Sequence, residues 1–298
     1  MPDIRLIAYD LDGTLLTENK TITARTKRIL KKASEAGIEL VVTTGRALSG
    51  VPDAVKQIPG CNYVITSNGA GIYKKIRELD QTDEKNDSAE SYTIPNDAYT
   101  MITEHLMDNE KARAMLKELG KLEVMPDPFV DGRCYMRADR AYLVEKMAVY
   151  DAMKQYIRDS RTIVEDMDDF LKDKEIQKVT VNFADDGKGN RIDADKVFEI
   201  AKKYPEFVAV EGGIRNIEFS ASKATKGYAL TELLELLDID ASQAIAFGDS
   251  ENDISMLQTV GTGVAMANSL KITKEAADAI TLSNEEDGVA DYLEKILV

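Results

Sequence analysis

Tyr9-Asp10-Leu11-Asp12-Gly13-Thr14-Leu15-Leu16 is the stretch on which the reading of this chain turns. It follows an apolar run, Ile4 to Tyr9, that reads as a short buried strand. Two carboxylates, two residues apart, then stand where the strand ends, and a glycine turns the chain. In α/β proteins, ligands bind at the carboxyl ends of parallel strands. Neighbouring anions repel, so such a pair calls for a cation, a proton or a function. Hard carboxylate oxygens suit Mg²⁺.

Outward from this stretch, strand and helix alternate. A helix is predicted over Thr23–Ala36, stopped by Gly37, then strands at Glu39–Thr43 and Tyr63–Thr66. Alternation of this kind implies βαβ units and a parallel sheet. The middle of the chain reads differently. Lys74 to Ser91 is polar and reads as a hairpin tip or connection, and helical patterns follow at Ala98–Met107, Glu110–Leu119 and Arg140–Arg158, the last with Asp139 as N-cap. Lys178–Phe183 alternates as a half-buried antiparallel strand does, Asp185–Asn190 is a turn cluster, and Asp193–Tyr204 reads as a helix. Strands are expected at Phe207–Val210 and Asn216–Phe219. The α/β pattern then returns with helix Thr225–Leu237 and strands Ala244–Phe247, Gly263–Met266 and Ala279–Leu282. The expected fold class is α/β, a Rossmann-like parallel-sheet core split by an inserted α+β module. The expected boundaries are 1–91 and 218–298 for the core and 92–217 for the insert.

Composition narrows the chemistry. The 298 residues carry 38 basic and 53 acidic side chains, a formal charge of −15. Such a chain repels nucleic-acid phosphates and anionic lipid heads, so neither nucleic acid nor membrane is an expected partner. A small anionic substrate would need local cations in the site. No apolar run approaches the ~20 residues of a membrane span. The chain opens almost directly on a strand, so no signal peptide is expected. Cys61 and Cys134 show no paired spacing, so a cytoplasmic location is the expectation. The one histidine, His105, excludes a site of several His ligands and reads as an ordinary helix-face residue. Acid–base work then falls to Asp, Glu, Lys or Tyr.

Four segments share one context, strand ends or the helix starts that follow them. They are Asp10 with Asp12; Thr43-Thr44-Gly45-Arg46; Lys226-Gly227; and Gly248-Asp249-Ser250-Glu251-Asn252-Asp253. Phosphoryl transfer from a monoester needs a nucleophile in line, positive charge for the phosphate oxygens and a proton for the leaving alcohol. A carboxylate can attack, a hydroxyl, amides and a lysine can fix oxygens, and Mg²⁺ can screen the repulsion. Each segment alone has an ordinary reading as a turn, a cap or a surface lysine. The four in this order make coincidence improbable.

The combined pattern resembles the haloacid dehalogenase superfamily, and within it the Cof-type phosphatases with a large C2-type cap. The resemblance rests on Asp10-x-Asp12-Gly13-Thr14-Leu15 together with Gly248-Asp249-x-x-Asn252-Asp253, and it covers the whole chain. It implies a cap inserted after the third core strand. It implies Asp10 as nucleophile and Mg²⁺ ligand, and Asp12 as general acid and base whose carbonyl also touches Mg²⁺. Asp249 would be the third ligand, with Asp253 orienting the metal shell. Thr44, the amides of Leu11 and Gly45, Lys226 and Asn252 would hold phosphate. An aspartate at position 12 fits a phosphatase better than a dehalogenase. Lys226 is preferred to Lys223 because Gly227 follows it at a helix start. Arg46 and Asn68 are further candidates at strand ends. The expected activity is Mg²⁺-dependent hydrolysis of small phosphomonoesters, sugar phosphates among them, through a phospho-aspartate. A phosphomutase acting on hexose phosphates and a non-catalytic sensor of a phosphorylated metabolite are the competing readings. Asp131, Arg133, Tyr135 and Arg137 alternate in the insert, as one polar face of a hairpin would.

Overall fold

The computed structural model describes residues 3–76, 96–212 and 216–297. Most of the polar connection expected over Lys74 to Ser91 lies outside the described residues. In chain order the strands are β1 (Leu6–Tyr9), β2 (Glu39–Thr43), β3 (Cys61–Thr66), β4 (Gly71–Lys75), β5 (Tyr99–Glu104), β6 (Val124–Val130), β7 (Arg133–Arg137), β8 (Arg161–Val164), β9 (Ile176–Phe183), β10 (Phe207–Glu211), β11 (Ile217–Ala221), β12 (Ala244–Gly248), β13 (Thr262–Ala265) and β14 (Ala279–Ile280). The chain divides into two compact units, Met1–Glu104 with Lys223–Val298, and His105–Ser222.

The first unit is built on a sheet of order β14-β13-β12-β1-β2-β3-β4-β5. From β14 to β3 the pairings are parallel, and β4 and β5 extend the sheet antiparallel. All four side chains of β1 are inaccessible to solvent, as expected of a central parallel strand covered on both faces. The helix Ala24–Glu35 covers one face. Thr23 caps it by accepting from Thr26 N, and Ile29, Leu30 and Ala33 point inward. The helix Lys226–Leu236 belongs to the other face, with Ala229, Leu230, Leu233 and Leu234 packed among Leu6, Ala8 and Val41. Thr225 caps this helix through Tyr228 N, which fixes Lys226 as its first residue.

The second unit holds a sheet of order β10-β11-β9-β6-β7-β8, antiparallel except for β7 with β8. Val179, Val181, Phe183 and Phe219 pack with the helices Asn109–Leu119 and Ala194–Ala201. β9 was expected to be half buried, yet all eight of its residues are buried. Lys178 tolerates this because its ammonium meets Glu218 at 3.0 Å and stands over the Phe129 ring.

Three further expectations from the sequence need correction. The segment 98–107 is not a helix: Tyr99–Glu104 is β5, paired antiparallel to β4, and His105 follows it. A distant strand partner overrides the local helical period, as β-rich Thr100, Ile102 and Thr103 permit. The segment 140–158 is not one helix. A 3₁₀ segment, Ala138–Lys146, is separated by extended residues from the α-helix Asp151–Ser160. A continuous helix would give the Lys146 carbonyl to Tyr150 N, but here it accepts from Asp185 N at 2.8 Å. Asp139 therefore caps nothing, and its carboxylate pairs with Arg137 at 2.8 Å. The third concerns the boundaries. Because β5 belongs to the first sheet and β11 runs to Ala221, the second unit spans His105–Ser222 rather than 92–217. Two antiparallel strands thus separate β3 from the second unit.

Among the described residues, no helix is long and apolar enough to cross a membrane.

Candidate active site

β1 and β12 run side by side, with Tyr9 opposite Phe247, and Asp10 N donates to the Phe247 carbonyl at 3.0 Å. The carboxyl ends of these two strands therefore deliver Asp10 and Asp249 to one place. The next turn adds Asp253, and the first residue of the helix Lys226–Leu236 adds an ammonium. Asp10, Asp249 and Asp253 each offer an oxygen within 4.8 Å of the others. Lys226 Nζ lies 2.6 Å from Asp10 Oδ1 and 2.5 Å from Asp253 Oδ1, and its side chain is 1% exposed.

The three carboxylates differ in what already holds them. Asp253 is engaged at both oxygens, since Oδ2 also accepts from the Asp249 and Ser250 amides at 2.9 Å each. Asp249 accepts from the Thr14 hydroxyl at 2.9 Å and the Ser250 hydroxyl at 3.0 Å, both of which can rotate away. Among the described residues, the Asp10 carboxylate is held at Oδ1 alone, by Lys226. Burial, and then Asp253, Asp249 and Asp12, push the Asp10 carboxyl well above the usual range, against the pull of Lys226. Burial and then Asp253 push Asp249 up to about 6. Burial pulls the Lys226 ammonium down, but Asp10 and Asp253 outweigh it and hold the ammonium above its ordinary value. One ammonium among three carboxylates leaves a formal excess of two negative charges, the charge of one divalent ion. An all-carboxylate donor set suits Mg²⁺. Asp10 and Asp249 are the better donors, because Asp253 is already saturated.

Gly13 lets the chain close over this cluster. Its φ is +82°, and a Cβ there would come within 2.5 Å of Asp249 Oδ2. Only glycine combines that conformation with that approach.

Asp12 does not join the cluster. Its carboxylate takes Arg46 Nε and NH2 at 2.7 Å each, in the bidentate form, and Lys20 Nζ at 2.6 Å. Arg46 is itself anchored by NH1 to the Gly50 carbonyl at 2.9 Å. Burial alone would raise the Asp12 carboxyl, but Arg46 and then Lys20 hold it well below the usual carboxylate range. The pair in the opening sequence is thus split: one carboxylate faces other carboxylates, the other faces two cations.

The remaining candidates sit around β2, β3 and β12. Thr44 N donates to Ile65 O at 2.8 Å, and Thr44 Oγ1 accepts from Arg46 N at 3.2 Å, which folds the Thr44-Gly45-Arg46 turn. Leu11 closes the turn after β1, its carbonyl accepting from Leu16 N at 2.9 Å. Asn68 has φ +62° in the turn after β3 and accepts from Asn252 Nδ2 at 3.1 Å. Among the described residues Asn252 Oδ1 is buried without a hydrogen-bond partner, and as an amide oxygen it can only accept. Lys223 stands apart, its Nζ over the Tyr228 ring. The second unit's alternating residues 131–137 form the β6–β7 turn and β7 of that unit's own sheet. Sequence reasoning missed Lys20. The only signal was a cation in a turn-like run, Thr17-Glu18-Asn19-Lys20-Thr21, a few residues after the carboxylates.

The family described as haloacid dehalogenase-like hydrolases matches residues 7–293. Phosphatase YwpJ of Bacillus subtilis is 31% identical, over 99% of this chain and 100% of that protein. The 5-amino-6-(5-phospho-D-ribitylamino)uracil phosphatase YwtE of the same organism is 28% identical, over 99% of this chain and 98% of its own length. Among solved structures, a haloacid dehalogenase-like hydrolase from B. subtilis aligns with a TM-score of 0.76 at 27% identity, over 98% of this chain and 99% of that one. The HAD subclass IIB sugar phosphatase BT4131 aligns with a TM-score of 0.74 at 20% identity, over 99% and 100%, and so shares the fold.

Proposed function

The chain belongs to the haloacid dehalogenase-like hydrolases and is a phosphatase, and we propose that it hydrolyses small phosphomonoesters with Mg²⁺ through a phospho-aspartate on Asp10. The observation that carries this reading is the buried Lys226 ammonium against Asp10 inside a cluster of three carboxylates. A lysine so placed balances a nucleophilic carboxylate before substrate arrives and meets phosphate oxygens afterwards.

Asp10 and Asp249, with the Asp12 carbonyl, would hold the metal, and Asp253 would brace Lys226 and the Asp249 and Ser250 amides. When bound, Mg²⁺ offsets the repulsion between carboxylate and phosphate and polarises the phosphoryl group. Lys226, Thr44, Asn252 and the amides of Leu11 and Gly45 hold the phosphate oxygens. Asp10 forms a bond to phosphorus as the ester P–O bond breaks, and the leaving oxygen takes a proton from Asp12. Water then attacks the same phosphorus, passes its proton back to Asp12, and frees phosphate and the Asp10 carboxylate. The Arg46 and Lys20 contacts hold Asp12 as the carboxylate, the form that takes a proton from water. Donating to the leaving oxygen requires that it first gain a proton.

Charge and relatives support a substrate class. A chain of net charge −15 accepts a phosphomonoester only where a local cation meets the phosphate, and Lys226 supplies it. The relative YwtE is named for a phosphate carried on a ribityl chain. A phosphate on a sugar or sugar-alcohol chain is therefore the substrate class we assign, with the cytoplasm as its location.

The test is a panel of phosphorylated metabolites with Mg²⁺ or with EDTA. Phosphate release that needs Mg²⁺ and is strongest on sugar or polyol phosphates is expected. Full turnover in EDTA, or in Asp10→Asn, would overturn the reading. Return of an isomerised sugar phosphate instead of free phosphate would identify a mutase.

A further inference from the structure

The loop after Asp12 carries a residue that neither the motifs nor the relatives' names assign. Thr17 and Thr21 close a tight turn: Thr17 N donates to Thr21 O at 3.0 Å, Thr21 N to Thr17 Oγ1 at 3.2 Å, and Lys20 N to Thr17 O at 2.9 Å. Within it Lys20 takes φ +60°, a left-handed conformation. Glycine or asparagine would occupy that position at less cost, since a lysine there is strained. The strained backbone sends the side chain back eight residues, and Nζ reaches Asp12 Oδ1 at 2.6 Å with the side chain 22% exposed. Arg46 approaches the same carboxylate from the turn after β2 and spans both oxygens. Two cations from two separate segments thus fix the position and rotamer of Asp12. Arg46 is anchored to Gly50, whereas Lys20 rides on a short turn.

We infer that Lys20 is a positioning residue for proton transfer by Asp12, and that its effect depends on the leaving group. The inference rests on the proposed role of Asp12 as acid and base. An alkyl phosphate, whose alcohol is a poor leaving group, needs the proton that Asp12 delivers. An aryl phosphate such as p-nitrophenyl phosphate leaves as a stable anion and needs it far less. Holding Asp12 at the leaving oxygen therefore matters for the first and little for the second.

The experiment compares kcat/KM for an alkyl sugar phosphate and p-nitrophenyl phosphate in wild type, Lys20→Gly, Lys20→Arg and Asp12→Asn. Lys20→Gly relieves the left-handed backbone, so its fold is preserved, and melting checks this. The alkyl-to-aryl ratio is expected to fall ~10-fold in Lys20→Gly, to recover in Lys20→Arg, and to fall further in Asp12→Asn. An equal loss on both substrates would make Lys20 a phosphate-binding or structural residue. An unchanged or raised ratio would remove its positioning role. Either overturns the inference. If Asp12→Asn also leaves the ratio unchanged, the acid–base reading of Asp12 has failed instead.

Discussion

Lys226 Nζ lies 2.6 Å from Asp10 Oδ1, an ion pair in which neither side chain is more than 8% exposed. Burying an ammonium and a carboxylate costs each its hydration, and mutual contact returns only part of that. The arrangement is therefore poor as a device for stability and apt for a site in which a second anion will replace or join the carboxylate. The third member, Asp253, keeps Lys226 in place whichever oxygen it meets.

Replacing Lys226 by Met leaves Asp10 and Asp253 buried without their cation. Loss of ~3–5 kcal/mol of stability in metal-free protein is expected, read from denaturant unfolding. Mg²⁺ should return part of it. The kcat/KM should fall at least ~100-fold, since a phosphate-oxygen donor goes as well. Unchanged stability would mean that Lys226 offsets no buried charge on Asp10.

Mg²⁺ should raise the melting temperature of the wild type, because an ion that binds only the folded carboxylate cluster stabilises it by mass action. At a hundredfold excess over Kd the gain is ~2.7 kcal/mol. Asp249→Asn should lose most of this shift, while Asp127→Asn, in the other unit, should keep it. An equal shift in both variants would place the ion elsewhere.

Asp127 gives a pH dependence of its own. Burial pushes its carboxyl up to about 7, while Arg161 and Asn182 oppose the rise. Unfolded, an aspartate titrates near ~3.9. Between these values the folded chain keeps a proton that the unfolded chain has released. Stability from this group is therefore full below ~4 and is lost as pH rises through about 7. Asp127→Asn should flatten the stability profile between pH ~4 and ~7 by roughly 4 kcal/mol, read by denaturant unfolding at a series of pH values. An identical slope in the variant would show that the carboxyl is ionised throughout.

The sequence disclosed the parallel strands and the candidate residues at their ends because both are local signals. β1 is a four-residue apolar run followed at once by Asp10, and Thr225 announces the helix that begins with Lys226. It did not disclose β5, whose partner β4 lies more than twenty residues away and whose own pattern fits a helix as well as a strand. The break at Met147 was hidden for the same reason, since it depends on Asp185 reaching the Lys146 carbonyl. In the site, residue types at strand ends could be read, but their pairing could not. Nothing in the order of residues says that Asp12 turns toward Arg46 and Lys20 while Asp10 turns toward Lys226. That division is fixed by which side chains the two flanking segments bring within ~3 Å.

The central claim is that Asp10 attacks phosphorus and is later relieved by water. Two in-line displacements at one phosphorus restore its configuration, whereas one inverts it. The direct measurement is the stereochemical course of transfer from an ester whose phosphoryl group is made chiral by oxygen isotopes and sulfur. The account predicts net retention with wild-type enzyme and no product from Asp10→Asn. Net inversion would mean that water attacks the ester directly, and would contradict it.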